Sequence, residues 1–155
     1  MPFHGVLEDT KIRHVNLPLP PTVDPSTATR EVIRRMQGAH CPCVLVVENG
    51  RLVGIFTERD VLNRIIGKPA LLEQPVSEFM TPDPIALTTE HSLGDAIEVM
   101  SEGGYRNVPI VDAEGRPVAS LPAAAIVNFI VAHFPKDVYN LPPRPEQHMA
   151  TPEGA

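Results

Sequence analysis

Two polar residues three positions apart, Thr57 and Asp60, lie in the heptapeptide GIFTERD at residues 54–60. The pattern predicts a strand that ends at Phe56 and a helix that begins at Thr57. A helix start presents backbone N–H groups and the positive end of the helix dipole, which together suit a phosphate. The Asp60 carboxylate adds two acceptor oxygens, the complement of two neighbouring ribose hydroxyls. Gly54 would let a ligand or a partner backbone approach closely.

The same residues also have an interpretation that needs no ligand. T-x-x-D at a helix start has the form of a capping box, with Thr57 as the N-cap and Asp60 at the third helical position. Such a cap is worth about 0.5–2 kcal/mol by itself. Four residues taken alone favour the cap, so the rest of the chain must decide between the two interpretations.

The heptapeptide belongs to a unit that occurs twice in the chain. A shift of 64 residues, which becomes 65 after one added residue in a turn, brings like residues together over nearly the whole unit. The matching pairs include Ile33 with Ile97, Met36 with Met100, Val44 with Val108, Gly50 with Gly115 and Asn63 with Asn128.

Each copy predicts the element order β-α-β-β-α. A first extended stretch at about 21–23 or 85–88 precedes an amphipathic helix, a hairpin and a closing helix. Asn49-Gly50 is a strong hairpin signal, and Ser92 with Asp95 predicts a capping box. A three-stranded sheet with two helices on one face cannot bury itself well alone. We therefore expect an α+β fold in which the two pseudo-symmetric units pack through their sheets.

This organisation predicts five segments along the chain. They are an N-terminal segment at 1–14, a first unit at 15–67, a linker at 68–78, a second unit at 79–134 and a proline-rich C-terminal tail at 135–155. The stretch PVSEFM, at the end of the linker, predicts a short helix leading into the second unit.

In the second copy the heptapeptide becomes ASLPAAA, so that Ala119, Pro122 and Ala125 replace Gly54, Thr57 and Asp60. Proline near a helix start and alanines within it suit the fold. A ribose buried there would lack partners, at about 1–3 kcal/mol for each unsatisfied group. We therefore predict at most one ordinary nucleoside site per chain.

The order of elements, with PIVD before the second hairpin and G-h-x-T-x-x-D after the first, resembles the cystathionine-β-synthase (CBS) domain. The resemblance is to a tandem pair over roughly residues 15–133, and it is closest in FMTPDPIALTTEHSLGDAIEVMSEGGYRNVPIVDAEGRPV. It implies a regulatory module that binds adenosine-containing ligands between its two domains, dimerises into a flat disc and does not catalyse a reaction. AMP, ADP or ATP is expected ahead of S-adenosylmethionine or NAD, with no integral cofactor.

The resemblance also implies which residues of the second copy complete the site. Thr81, Ile85 and Ala86 match positions that line the adenine pocket, and Tyr105 and Arg106 match positions that approach ribose or phosphates. Arg59 and Arg106 are candidates for phosphate pairing, because a planar guanidinium suits phosphate oxygens. For each arginine, a solvated surface position is an equal alternative.

Composition narrows the function classes. A formal net charge of −6 argues against nucleic acid as the main partner. No segment has the ~18–20 apolar residues of a membrane span, and the N-terminus lacks a leader pattern, so we expect a cytoplasmic protein. No P-loop, GxSxG or HExxH motif is present, which argues against an enzyme. The spacing of Cys41 and Cys43 favours two small apolar residues at the start of a strand over a metal or redox site.

Two hypotheses remain from the sequence. The first is a sensor in which one adenine nucleotide shifts the pose of the two copies and an effector protein reads the change. The second is a ligand-free dimerisation or protein-interaction module in which Thr57 and Asp60 only cap a helix.

Overall fold

The computed structural model describes residues 4–133, and the predicted C-terminal tail lies outside them. The helices are α1 (His4–Asp9), α2 (Thr29–Ala39), α3 (Glu58–Asp60), α4 (Leu93–Gly103) and α5 (Ala123–His133). The strands are β1 (Thr22–Val23), β2 (Cys43–Glu48), β3 (Arg51–Thr57), β4 (Thr81–Pro82), β5 (Asn107–Val111) and β6 (Pro117–Pro122). Three 3-10 turns cover Ile12–His14, Pro69–Glu73 and Val76–Glu78, and α3 continues as a π-helix over Val61–Ile65.

Two sheets carry the fold. The first has the order β1-β2-β3-β4, with β1 parallel to β2 and the other pairs antiparallel, and the second pairs β5 with β6. The predicted first hairpin is confirmed: Asn49 and Gly50 both have positive φ, at 54° and 79°, as a type I′ turn requires. The mixed arrangement of helices and two packed sheets confirms the α+β fold class.

The three strands predicted for the first copy are present and gain a fourth, whereas the second copy has a sheet of two strands and not the predicted three. The strand expected at about 85–88 is reduced to one parallel bridge between Leu87 and Ile110. Strand β4, which leads into the second copy, instead pairs with β3 of the first. The chain that leads into the first copy does the equivalent, because Ser120 N–H donates to Pro18 O at 3.4 Å. Each sheet thus takes an edge segment from the entry to the other copy.

The N-terminal residues also complete the second copy, which was not anticipated. Helix α1 packs on α4, and Leu7 and Ile12 are buried in the core of the second copy. Val76, the equivalent of Ile12 in the linker, is buried in the core of the first copy. The short helix predicted in PVSEFM is present as a 3-10 turn at this point.

Each copy has its own apolar core. The first includes Val32, Val44, Val46 and Phe56, and the second includes Leu93, Val108, Ile110 and Leu121. On the opposite face of β2, a third cluster contains Cys43, Leu45 and Ile55. The sheets meet on this face, where Cys43 Sγ lies 3.9 Å from Ser120 Oγ. Among residues 4–133, none of the helices has the length and apolar character needed to cross a membrane.

Candidate functional site

The polar motif of the first copy forms a complete capping box. Thr57 has extended backbone angles (φ −127°, ψ 169°) and precedes the first helical residue. Its N–H donates to Asp60 Oδ2 at 2.9 Å, and its hydroxyl donates to the same oxygen at 3.3 Å. In return, Asp60 N–H donates to Thr57 Oγ1 at 3.4 Å. The capping interpretation of these residues is therefore present in the structure.

The other oxygen of Asp60 is less engaged. The side chain is only 12% exposed, and Oδ1 lies 3.8 Å from Arg64 Nε. Arg64 also donates from Nη1 to Phe79 O at 2.9 Å, which holds the guanidinium in place. Oδ1 therefore keeps acceptor capacity beside a positive charge. Sequence reasoning missed Arg64, although its position one helical turn after Asp60 was an available signal.

The prediction that free N–H groups line the start of this helix is wrong for three of the backbone donors. Thr57 N–H and Asp60 N–H belong to the capping box, and Glu58 N–H donates to Pro42 O at 3.0 Å. The α-helical geometry also lasts for only three residues, Glu58–Asp60, before the π-helix begins. Because these donors are already engaged, this helix start is a poorer phosphate site than expected.

Gly54 allows a close approach, but the neighbour is part of the chain itself. A Cβ at this buried position would collide with the Met80 side chain, with Met80 Cγ and Cε each 3.0 Å away. Gly54 also faces Pro82 across the β3–β4 ladder. The glycine thus lets the segment that enters the second copy lie against β3.

The second copy approaches the motif through the turn after α4. Gly104, with φ 70°, ends this helix, and its carbonyl accepts a hydrogen bond from Arg59 Nη1 at 3.2 Å. Tyr105 follows directly, is 39% exposed, and places its ring against Gly103. The side chain of Arg106 is exposed. The structure therefore brings Arg59 to the turn that carries Tyr105 and Arg106.

The three residues assigned to an adenine pocket lie on a segment that spans both sheets. Thr81 pairs with Ile55 in the first sheet, and the chain joins the second sheet at Leu87. Between these points Ile85 is 53% exposed and Ala86 is half-buried. Their placement between the two copies suits a cleft. Contacts between these residues and a base stay a prediction.

The equivalent place in the second copy has the same hydrogen bond at the start of its helix and a different surface. Ala123 N–H donates to Arg106 O at 2.8 Å, just as Glu58 N–H donates to Pro42 O. Ala119 is buried in the β-sheet, and Ala125 packs against the second core. These positions supply no polar side chain for a sugar.

Two grooves lie on the helical side of the molecule rather than at the predicted site. One, of about 750 Å³, lies between α2 and α3, and the other, of about 320 Å³, lies between α4 and α5. Within residues 4–133, neither groove is lined by a residue predicted to bind the nucleotide. The candidate site is therefore defined by the polar groups of the first-copy motif and lies apart from both grooves.

The two cysteines are free thiols at the sheet–sheet contact. Cys43 is the first residue of β2 and is buried, as its predicted entry into a strand implies, and Cys41 is half-buried. Burial, followed by the nearby Cys41 thiol, raises the pKa of Cys43 to about 12. Cys43 is therefore a neutral packing group at physiological pH.

Comparison with known proteins identifies the family. The CBS domain model matches residues 8–67 and 76–132, so the chain belongs to the CBS-domain family and contains the domain twice. The predicted resemblance is confirmed. The chain is 32% identical over 119 residues to the CBS domain-containing protein CBSCBSPB5 of Arabidopsis thaliana. That match covers 76% of this chain and 22% of the plant protein, so the chain spans about a fifth of that relative's length.

Solved structures of CBS pairs share the fold. The structure of CBSX2 in complex with AMP superposes with a TM-score of 0.67 at 23% identity, covering 79% of this chain and 97% of CBSX2. The CBS domain pair of protein MJ0100, in complex with 5-methylthioadenosine and S-adenosyl-L-methionine, gives a TM-score of 0.69 at 22% identity. That match covers 78% of this chain and 99% of the other.

Proposed function

We propose that this chain is a regulatory module that binds one adenosine nucleotide, of the AMP, ADP or ATP type, between its two CBS domains. The observation that carries the proposal is the difference between the copies: T-x-x-D is present once, and its helix contacts the other copy through Arg59 and Gly104. CBSX2 with AMP and the MJ0100 pair with S-adenosyl-L-methionine support an adenosine ligand.

The geometry suggests which polar groups would contact the ribose and which would contact the phosphates. Asp60 Oδ2 holds the cap, so Oδ1 is the oxygen that would accept from a ribose hydroxyl. Because three of the helix-start N–H groups are engaged, Arg59 and Arg106 would neutralise the negative charge of the phosphates. Thr81, Ile85, Ala86 and Tyr105 would enclose the base and sugar.

The proposed role is regulatory rather than catalytic, with no integral cofactor. A nucleotide that contacts both copies favours one relative pose of the two domains, and it can shift that equilibrium only by its difference in affinity for the two poses. The proposal includes a homodimer of this chain, an effector protein that reads the pose, and a cytoplasmic location.

The capping box supports a second candidate function, a ligand-free dimerisation or protein-interaction module. Thr57 and Asp60 are already satisfied by each other at 2.9–3.4 Å. In that case the motif serves only to cap the helix, and the two copies differ because their sequences have diverged without a change in function.

A thermal-shift series with AMP, ADP, ATP, NAD and S-adenosylmethionine separates the two functions. A ligand at about 100 times its dissociation constant adds about 2.7 kcal/mol to the free energy of unfolding. The chain offers a matched control for Asp60→Ala, because Asp95 fills the same capping position on α4 at the N-cap Ser92. Asp60→Ala and Asp95→Ala both remove a cap, but only Asp60→Ala removes the proposed ribose acceptor.

The sensor proposal expects a shift with at least one adenine nucleotide in the wild type and in Asp95→Ala, and none in Asp60→Ala. A 2′-deoxy analogue should give a smaller shift than its ribose parent. If no member of the series moves the melting temperature of the wild type, the ligand-free module is the better account.

A further inference from the structure

One arginine joins the polar motif of the first copy to the linker between the copies. Arg64 Nε lies 3.8 Å from Asp60 Oδ1, and Arg64 Nη1 donates to Phe79 O at 2.9 Å. Phe79 ends the 3-10 turn Val76–Glu78, and Met80 after it packs against β3. A single guanidinium therefore contacts both the proposed ribose acceptor and the backbone that enters the second copy.

The two contacts of Arg64 differ in kind. A hydrogen bond between nitrogen and oxygen spans about 2.7–3.2 Å, so the contact with Phe79 O is a hydrogen bond and the contact with Asp60 Oδ1 is an ion pair without one. The ion pair attracts the carboxylate and leaves the lone pairs of Oδ1 free. Oδ2 is already held by Thr57 N–H at 2.9 Å. The cap thus fixes one oxygen of Asp60, and an anchored cation attracts the other.

The second copy cannot form the equivalent link. Phe129 stands at the position of Arg64, and its side chain has no hydrogen-bond donor. Phe129 packs against the second core and stacks on His133, with ring centroids 4.0 Å apart. The arginine and the T-x-x-D motif therefore occur in the same copy, and apolar residues replace them together in the other.

The helix that carries Arg64 also has an unusual geometry. Val61–Ile65 is a π-helix, closed by a 2.9 Å hydrogen bond from Ile66 N–H to Val61 O, whereas α5 is α-helical throughout Ala123–His133. Short π-helical segments frequently lie at functional sites. This one begins directly after Asp60 and includes Arg64, so its geometry sets the distance between the two side chains.

We propose that Arg64 is a positioning residue for the nucleotide site, which orients the Asp60 carboxylate so that Oδ1 accepts from a ribose hydroxyl. This inference rests on the proposed function, because it concerns the same site. An acceptor that is oriented before the ligand arrives loses less side-chain freedom on binding, so the ligand binds more tightly. Arg64 acts on the sugar through Asp60, so its removal should affect recognition of the ribose and leave recognition of the base and phosphates intact.

Two other roles make different predictions. If Arg64 only held the linker, its removal would lower the melting temperature and weaken every nucleotide by the same factor, and a half-exposed ion pair contributes little to folding. If Arg64 instead paired with a phosphate, its removal would again weaken a ribonucleotide and its deoxy analogues equally. The preference for ribose over deoxyribose is therefore the quantity that separates positioning from both alternatives.

Isothermal titration calorimetry of the full-length chain measures this preference. The ligands are AMP, ADP or ATP, whichever gives the largest thermal shift, and its 2′-deoxy and 3′-deoxy analogues. In the wild type at least one analogue should bind more weakly than its ribose parent. Arg64→Gln should raise the dissociation constant of the parent about tenfold and change that of the weaker analogue little, so the preference for ribose should fall by the same factor.

Arg35→Gln is the matched control. Arg35 makes the same two kinds of contact on α2, an ion pair with Glu31 at 3.2 Å four residues earlier and a hydrogen bond to Thr22 O at 3.4 Å. Its side chain is 47% exposed, against 48% for Arg64. The control removes an equal charge with equal exposure, and it should leave all three dissociation constants unchanged.

Arg64→Lys is the conservative variant. It keeps a cation near Asp60, but one ammonium group cannot reproduce both contacts of the planar guanidinium. Its preference for ribose should lie between those of the wild type and Arg64→Gln. Thermal melting without ligand establishes that each variant is folded. If Arg64→Gln does not fold, Arg64→Lys is compared with Arg35→Lys by the same measurement.

The results that contradict the inference are distinct from those that contradict the proposed function. A wild type that binds none of the three nucleotides contradicts the proposed function and the inference with it. Nucleotide binding that Arg64→Gln leaves unchanged contradicts only the inference. Equal weakening of the ribonucleotide and both deoxy analogues would assign Arg64 to folding or to a phosphate. An equal effect of Arg35→Gln would show a general dependence on net charge.

Discussion

Residues 54–60 and 119–125 occupy the same place in two copies of one fold but present different surfaces. Each segment continues a hairpin strand into a helix whose first N–H donates to the residue before the other hairpin strand. Only the first copy carries Thr57 and Asp60, and the second folds with proline and alanines instead. The polar pair is therefore not a requirement of the fold. Because the fold does not require Thr57 and Asp60, we propose that the pair has a role in binding.

The largest effect should come from the equivalent core residues Phe56 and Leu121, which are both fully buried. Phe56→Ala should lower the free energy of unfolding by about 3–5 kcal/mol and Leu121→Ala by about 2–5 kcal/mol, because each leaves a cavity. Denaturant unfolding followed by circular dichroism measures both. Since each sheet includes an edge segment from the other copy, we expect one cooperative transition in every case. Two separate transitions would show that the copies are independent domains.

A smaller effect should come from Gly54, whose equivalent is Ala119. Gly54→Ala should cost about 1–3 kcal/mol, because its Cβ forces Met80 away from β3. The cost should shrink when Met80→Ala is added, compared with the sum of the two single changes. Ala119→Gly is the matched change in the second copy and should cost about 0.5–1 kcal/mol through backbone entropy. Chemical denaturation of the four variants tests this, and additive costs at Gly54 and Met80 would contradict the proposed contact.

The two capping boxes should contribute slightly different amounts to the free energy of unfolding. Ser92 caps the eleven-residue helix α4 with a 3.0 Å bond to Asp95 N–H, whereas Thr57 makes a 3.4 Å bond to Asp60 N–H at a much shorter α-helix. Ser92→Ala should therefore cost about 1 kcal/mol and Thr57→Ala about 0.5 kcal/mol without ligand. Melting curves measure both. If Thr57→Ala costs more than Ser92→Ala, the cap alone would explain the motif.

Near neutral pH the Cys43 thiol should not make the free energy of unfolding depend on pH. At alkaline pH an effect of this thiol is expected. The folded state raises the pKa of this thiol from 9.0 to about 12 through burial. The unfolded chain then releases the proton first, so the free energy of unfolding falls as the pH rises from 9.0 toward 12. Urea unfolding at several pH values should show this decline, and Cys43→Ala should remove part of it. An identical decline in the variant would exclude Cys43 as its cause.

Local signals in the sequence were sufficient to predict most of the secondary structure. The Asn49-Gly50 turn and the Ser92 cap depend on a few adjacent residues, and the 64-residue repeat gave the order of elements. The exchange of edge segments and the docking of α1 were not predictable in this way. They depend on residues far apart in sequence, and a two-residue strand such as β4 shows no alternation of apolar and polar residues.

The candidate site was predictable in its residue types but not in its hydrogen bonds. The T-x-x-D spacing pointed to Thr57 and Asp60, and their capping box followed from the same spacing. The carbonyl of Pro42, which takes the Glu58 N–H, is placed by the register of the first hairpin and has no local signature. The contact of Arg59 with Gly104 depends on how the two copies pack.

The most direct test of the account is the number of nucleotides bound per chain, measured by isothermal titration calorimetry with the adenine nucleotide that gives the largest thermal shift. The account predicts one site per chain in the wild type and in Asp95→Ala, and no measurable binding to Asp60→Ala. Two sites per chain, or binding that survives in Asp60→Ala, would contradict the assignment of the single site to the first-copy motif.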